Sequence, residues 1–178
     1  KEILAQHDAT ILRRIFTMSN SFTIEENKSL YSAKIKVVGV GGGGGNMINH
    51  IIRENPNLDI DLMIANTDAK ALDNSPAHTK IQLGEKKTKG LGAGMRPEVG
   101  KEAAQESYEE IKSALETSDV VFIASGLGGG TGTGAAPVVA QAAKEIGALT
   151  VAVVTMPFSF EGKKRSKLAD IGLSELRK

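Results

Sequence analysis

The chain has 178 residues, 24% of them charged, and a net charge of +1. That length suffices for one domain with a sizeable core, and so small a net charge gives no global field to draw in nucleic acid or a membrane surface. With no cysteine and no tryptophan, disulfides and thiolate metal sites are excluded, and an aromatic platform for single-stranded nucleic acid is disfavoured.

Residues 1–33 differ from the rest of the chain. Ile3, Leu4, Ile11, Leu12, Ile15 and Phe16 recur at roughly helical spacing, and 19–32 is polar. This predicts a helix and linker outside the main sheet, either a packing appendage or a partner-binding arm. No apolar run reaches membrane-spanning length and no signal-like segment opens the sequence. A cytoplasmic protein without membrane insertion is therefore expected.

Lys34-Ile35-Lys36-Val37-Val38-Gly39-Val40 is the first predicted strand. It runs into a glycine turn, Gly41-Gly42-Gly43-Gly44-Gly45-Asn46, and then an amphipathic helix through Met47, Ile48, Ile51 and Ile52. Gly39, Gly41 and Gly44 also make the G-x-G-x-x-G pattern of dinucleotide binders. A second strand over 58–65 ends in Asn66-Thr67-Asp68, an acid where a dinucleotide site would contact ribose. NAD(P) binding is thus a rival reading of this part. Asp68 also suits the N-cap of a helix starting at Ala69.

A short strand over 79–83 leads to a third glycine-rich turn, Gly90-Leu91-Gly92-Ala93-Gly94, and Pro97 opens a long helix over 98–117. The apolar run 119–125 is a fourth strand. Behind it comes Gly128-Gly129-Gly130-Thr131-Gly132-Thr133-Gly134, then a helix from Ala135 with Pro137 in its first turn. A fifth strand over 148–155 is followed by Pro157-Phe158-Ser159-Phe160-Glu161-Gly162-Lys163-Lys164-Arg165 and a last helix to about 177.

Strands alternate with helices five times, which predicts an α/β fold: a Rossmann-like, mainly parallel sheet with helices on both faces. In such sheets ligands bind beyond the C-terminal strand ends, where all five special stretches fall. A helix N-terminus there offers free N–H groups, the absence of side chains lets an anion approach the backbone, and Thr131 and Thr133 add hydroxyls. Three glycine turns exceed what one pyrophosphate needs and favour a triphosphate ringed by backbone amides. No G-x-x-x-x-G-K-[S/T] loop exists to supply a lysine: around Gly100-Lys101, Met95 and Glu102 occupy the required positions. Mg²⁺ would sit on phosphate oxygens and water, with Asp68 as an outer-shell acceptor. Glu161 and Arg165, four apart, read either as a surface ion pair or as contacts to ribose and its surroundings. His7, His50 and His78 form no ligand cluster by spacing, and His50 reads as structural.

The Gly128–Gly134 run, together with the four other stretches, resembles the signature set of the tubulin/FtsZ family of GTP-binding, filament-forming proteins, over about 33–178. The resemblance implies that Gly42 to Asn46 and Gly132 to Gly134 contact GTP phosphates, that Ala93 and Gly94 lie near the γ-phosphate, and that Glu161 and Arg165 contact the sugar and its surroundings. It implies GTP or GDP with Mg²⁺ as cofactors, head-to-tail self-assembly into filaments, other division proteins as partners, and work at the bacterial division site. It also implies that no catalytic group lies in this chain, because in the family an acidic loop of a neighbouring subunit completes hydrolysis. Met95-Arg96 departs from the family's small residue and Asn before Pro97, so altered phosphate sensing is expected. On this reading 34–178 is the GTP-binding domain and the family's second domain is absent. A nucleotide-dependent filament cap is the alternative.

Overall fold

The computed structural model describes residues 33–178; the helix and linker expected over 1–33 fall almost wholly outside them. The element order is β1 (Ile35–Val40), α1 (Gly41–Glu54), β2 (Asp61–Asn66), α2 (Ala69–Asp73), β3 (Thr79–Gln82), α3 (Glu85–Thr88), α4 (Pro97–Glu106), α5 (Tyr108–Leu115), β4 (Val120–Gly126), α6 (Thr131–Glu145), β5 (Leu149–Thr155), a 3₁₀ turn (Ser159–Glu161) and α7 (Lys163–Leu176).

The five strands form one sheet in the order β3-β2-β1-β4-β5, and every pairing is parallel. Alternation along β1 shows the two covered faces. Val38 and Val40 join the larger core with Val121 and Ile123 of β4, Ile111 and Leu115 of α5, and Ala135, Ala136 and Val139 of α6. Val37 turns to the other face, where Ile48 of α1, Ile64 and Leu72 make a smaller cluster. Burial on both faces explains the nearly continuous apolar runs of the central strands.

Three elements differ from expectation. First, the glycines after β1 are not a turn: helix α1 begins at Gly41. Glycine disfavours helix by about 1 kcal/mol per residue, but here packing decides. A Cβ on Gly44 would collide with the carbonyl oxygen of Ala124 in β4, so only glycine lets the helix lie this close to the sheet. Second, α6 begins at Thr131 rather than Ala135, which places Pro137 in its second turn instead of its first. Pro137 therefore leaves the Thr133 carbonyl without its usual helical donor. Third, the helix expected over 98–117 breaks at Ser107, whose hydroxyl donates to the Gln82 carbonyl (3.2 Å) and accepts from Gly84 N–H (3.0 Å). Binding the β3–α3 connection fixes Ser107 outside helical geometry, at φ −98° and ψ 20°.

Candidate functional site

A cavity of about 500 Å³ opens beyond the C-terminal ends of β4 and β5. Strands β1 and β4 are neighbours, yet α1 leaves β1 on one face and α6 leaves β4 on the other. Chain order reverses there, and the diverging loops leave a crevice. The N-terminal residues of both helices border it: Gly42 and Gly43 from α1, and Gly129, Gly130, Thr131 and Gly132 around the start of α6. Gly94 adds the third glycine-rich turn, and Pro157, Glu161 and Arg165 close the far side.

The glycines here are of two kinds. Some satisfy the protein's own packing: a Cβ on Gly130 would strike the Gly94 carbonyl oxygen, and Gly43 lies against Gly126. Others do not. Beyond its immediate neighbours in the chain and its own helix backbone, a Cβ on Gly42 or Gly129 would meet no atom within 4 Å, and neither residue has a positive φ. Nothing in the fold itself demands glycine at these two positions, yet both line the cavity. A side chain there would fill space that the protein leaves open beside two helix N-termini, where unpaired N–H groups and the helix dipoles favour an anion.

Thr131, half-buried at the first position of α6, and Thr155, at the end of β5, are the hydroxyl-bearing residues that line this space. The charged residues lining it are Glu161 and Arg165, which pair at 2.8 Å; the second Glu161 oxygen accepts from Phe158 N–H at 2.8 Å. Both readings of this pair therefore meet in one place: the surface i,i+4 bridge exists, and it stands on the cavity wall.

Ten other residues expected at the site do not line the cavity: Gly41, Gly44, Gly45, Asn46, Asn66, Asp68, Ala93, Gly128, Thr133 and Gly134. Several are supports. The Thr133 hydroxyl accepts from Gly128 N–H at 2.9 Å and shapes the turn from behind. Ala93 is buried under Gly130. Asp68 caps α2, one carboxylate oxygen accepting from Ala71 N–H at 3.1 Å, and Asn66 accepts from Asp68 N–H at 3.3 Å. Among the described residues no group of three or more His, Asp or Glu is arranged to hold a metal ion. His50 and His78 are exposed.

The sequence reading missed Gly126, Leu127, Thr155, Met156 and Phe158 as cavity residues. Their signal was positional: they are the last residues of β4 and β5 or the first beyond them, where a parallel sheet presents its ligand edge.

A parallel sheet carrying an anion-receptive cavity at the point where its chain order reverses is the architecture of Rossmann-like nucleotide-binding domains. The GTPase domain of the Tubulin/FtsZ family matches residues 34–178, and the chain belongs to that family. It is 58% identical over 145 residues to the cell division protein FtsZ of Pseudomonas aeruginosa, covering 82% of this chain and 36% of that protein. Among solved structures it is similar to an empty FtsZ dimer from M. jannaschii, with a TM-score of 0.80, 48% identity, and 96% of this chain and 46% of that one covered. It is also similar to the GTPγS-bound protofilament of CetZ2 from Haloferax volcanii, with a TM-score of 0.72, 26% identity, and 80% and 46% covered. The chain thus spans about a third of the curated relative's length. Among the described residues no helix is long and apolar enough to cross a membrane.

Proposed function

We propose that residues 34–178 are the GTP-binding domain of a division protein that assembles head to tail and hydrolyses GTP between subunits. The observation that carries this reading is the pair of open glycines, Gly42 and Gly129, at two converging helix N-termini. The phosphates of GTP or GDP lie over them, held by backbone N–H groups and by Thr131. Gly94 closes over the terminal phosphate. Glu161 and Arg165 exchange part of their mutual bridge for contacts to the sugar and its surroundings. Gly41, Gly44, Gly45 and Asn46 at the start of α1, with Ala93, Gly128, Thr133 and Gly134, hold the cavity wall in place.

Mg²⁺ bound with the nucleotide would neutralise phosphate charge. Asp68 keeps one carboxylate oxygen on its helix cap and offers the other as an outer-shell acceptor. The attacking water is activated by acidic residues of a neighbouring subunit, so a filament is the catalytic unit. The names of the relatives, a cell division protein and a GTPγS-bound protofilament, support self-association and work in cell division; a cytoplasmic division site and other division proteins as partners, without nucleic acid or membrane insertion, complete the proposal.

Calorimetric titration with GTP, GDP, ATP and NADH in Mg²⁺ tests the reading. GTP and GDP bind and NADH does not. NADH binding without guanine nucleotide binding overturns the proposal and makes Asp68 a ribose reader. ATP binding as tight as GTP binding places the base contacts outside this chain.

A further inference from the structure

Thr67 does not line the cavity and is completely buried just beyond the end of β2. Its Oγ1 nevertheless lies 2.6 Å from Oγ1 of Thr131, a residue that lines the cavity. The Thr67 carbonyl accepts from Gly92 N–H at 3.1 Å and from the Thr88 hydroxyl at 3.3 Å, so the residue also pins the turn that carries Gly94.

Between two hydroxyls only one donates, and the structure permits either. An anion in the cavity decides the direction. A phosphate oxygen without a proton only accepts, so the Thr131 proton turns toward it. The Thr67 proton then points at Thr131. The opposite arrangement would spend the Thr131 proton on Thr67 and leave oxygen lone pairs facing the anion. In the favoured direction each hydrogen bond polarises the next, and the cavity gains a donor oriented before the ligand arrives.

We infer that Thr67 is a positioning residue for nucleotide binding: from behind the cavity wall it orients the Thr131 hydroxyl as a phosphate donor. The inference rests on the nucleotide reading proposed for this cavity.

The test is a double-mutant cycle on the 178-residue chain, with Thr67→Val, Thr131→Val, both together and Thr67→Ser. GTP and GDP affinity are measured by calorimetry and folding by thermal melting. Thr67→Val weakens binding by roughly two- to tenfold, the worth of one hydrogen bond. Thr67→Ser, which keeps the hydroxyl, binds within about twofold of the parent on the same reasoning. In the Thr131→Val background, replacing Thr67 changes affinity no further, because the hydroxyl it orients is gone. A merely structural Thr67 would weaken binding equally in both backgrounds, and that result overturns the inference, as does unaltered affinity in Thr67→Val. If Thr67→Val does not fold, Thr67→Ala removes the same hydroxyl without a second branch and carries the same cycle. Failure of the parent chain to bind GTP or GDP defeats the nucleotide reading itself; normal parent binding with a null cycle defeats the Thr67 role alone.

Discussion

At the residue scale the cavity separates glycines that the fold needs from glycines that the fold leaves free and the proposed nucleotide would use. Gly129 has open space where its Cβ would be and no positive φ. Alanine there restricts the unfolded chain without native strain, so Gly129→Ala keeps or raises stability, by up to about 1 kcal/mol. The added methyl would occupy the surface proposed for phosphate. Crowding of that kind costs about 1–3 kcal/mol, so GTP affinity falls roughly 5- to 150-fold. Gly130→Ala is the contrast: its methyl meets the Gly94 carbonyl, and stability falls together with binding. Denaturant unfolding and GTP titration of the two variants check this. Parent-like GTP binding by Gly129→Ala would refute the assignment of that surface to phosphate.

At the element scale helix α5 docks on α6 through Tyr108, whose hydroxyl is buried and makes no hydrogen bond of ordinary geometry. Burial above all, then the Glu145 carboxylate beside it, pushes this phenol up to about 12 from 10.0. Tyr108, followed by Gln141 and Lys112, in turn holds Glu145 below the usual carboxylate range. The raised phenol pKa means that the folded chain keeps its proton after the unfolded chain has lost it. The contribution is therefore fully present below about pH 10 and is lost as pH rises through about 12. The stability difference between the parent and Tyr108→Phe, read from urea midpoints, shifts in favour of Phe between pH 9 and pH 11. An equal difference at both values would show that the phenol titrates alike in both states.

The same scale shows what a sequence reveals and what it hides. Strands were legible because β-branched runs such as Val120-Val121-Phe122-Ile123 have one good use in a sheet buried on both faces. The cavity edge was legible for the same topological reason, which is why Gly42, Gly94, Gly129 to Gly132, Glu161 and Arg165 stand out in the bare sequence. Helix starts were hidden, because intrinsic propensity assigns Gly41 to Asn46 to a turn and only the contact of Gly44 with β4 reverses it. The break at Ser107 was hidden too: apolar spacing runs straight through it, and its cause lies on another element, at Gln82 and Gly84. Local pattern reports which face is buried; it does not report which distant backbone group a hydroxyl will claim.

At the scale of the molecule, two features bear on the proposed assembly. The edge strand β5 has an uncharged sequence with Leu149 65% and Val153 53% exposed, whereas solvent-facing edges are usually protected by charge, proline or bulges. In the cavity, read as the proposed GTP site, the described lining carries a single carboxylate. Glu161 is the acidic residue that lines it, and its two oxygens are engaged by Arg165 and by Phe158 N–H. A carboxylate held in that bridge, on the wall assigned to the sugar, is poorly placed to orient an attacking water at the terminal phosphate. Phosphoryl transfer depends on that positioning and on stabilising charge at the γ-phosphate. The purified chain with saturating GTP and Mg²⁺ should therefore bind nucleotide yet release phosphate at no more than a slow background rate. Glu161→Gln should leave that background unchanged while altering affinity. Phosphate release at several turnovers per minute that is abolished in Glu161→Gln would place a catalytic carboxylate within this chain and remove the need for a neighbouring subunit.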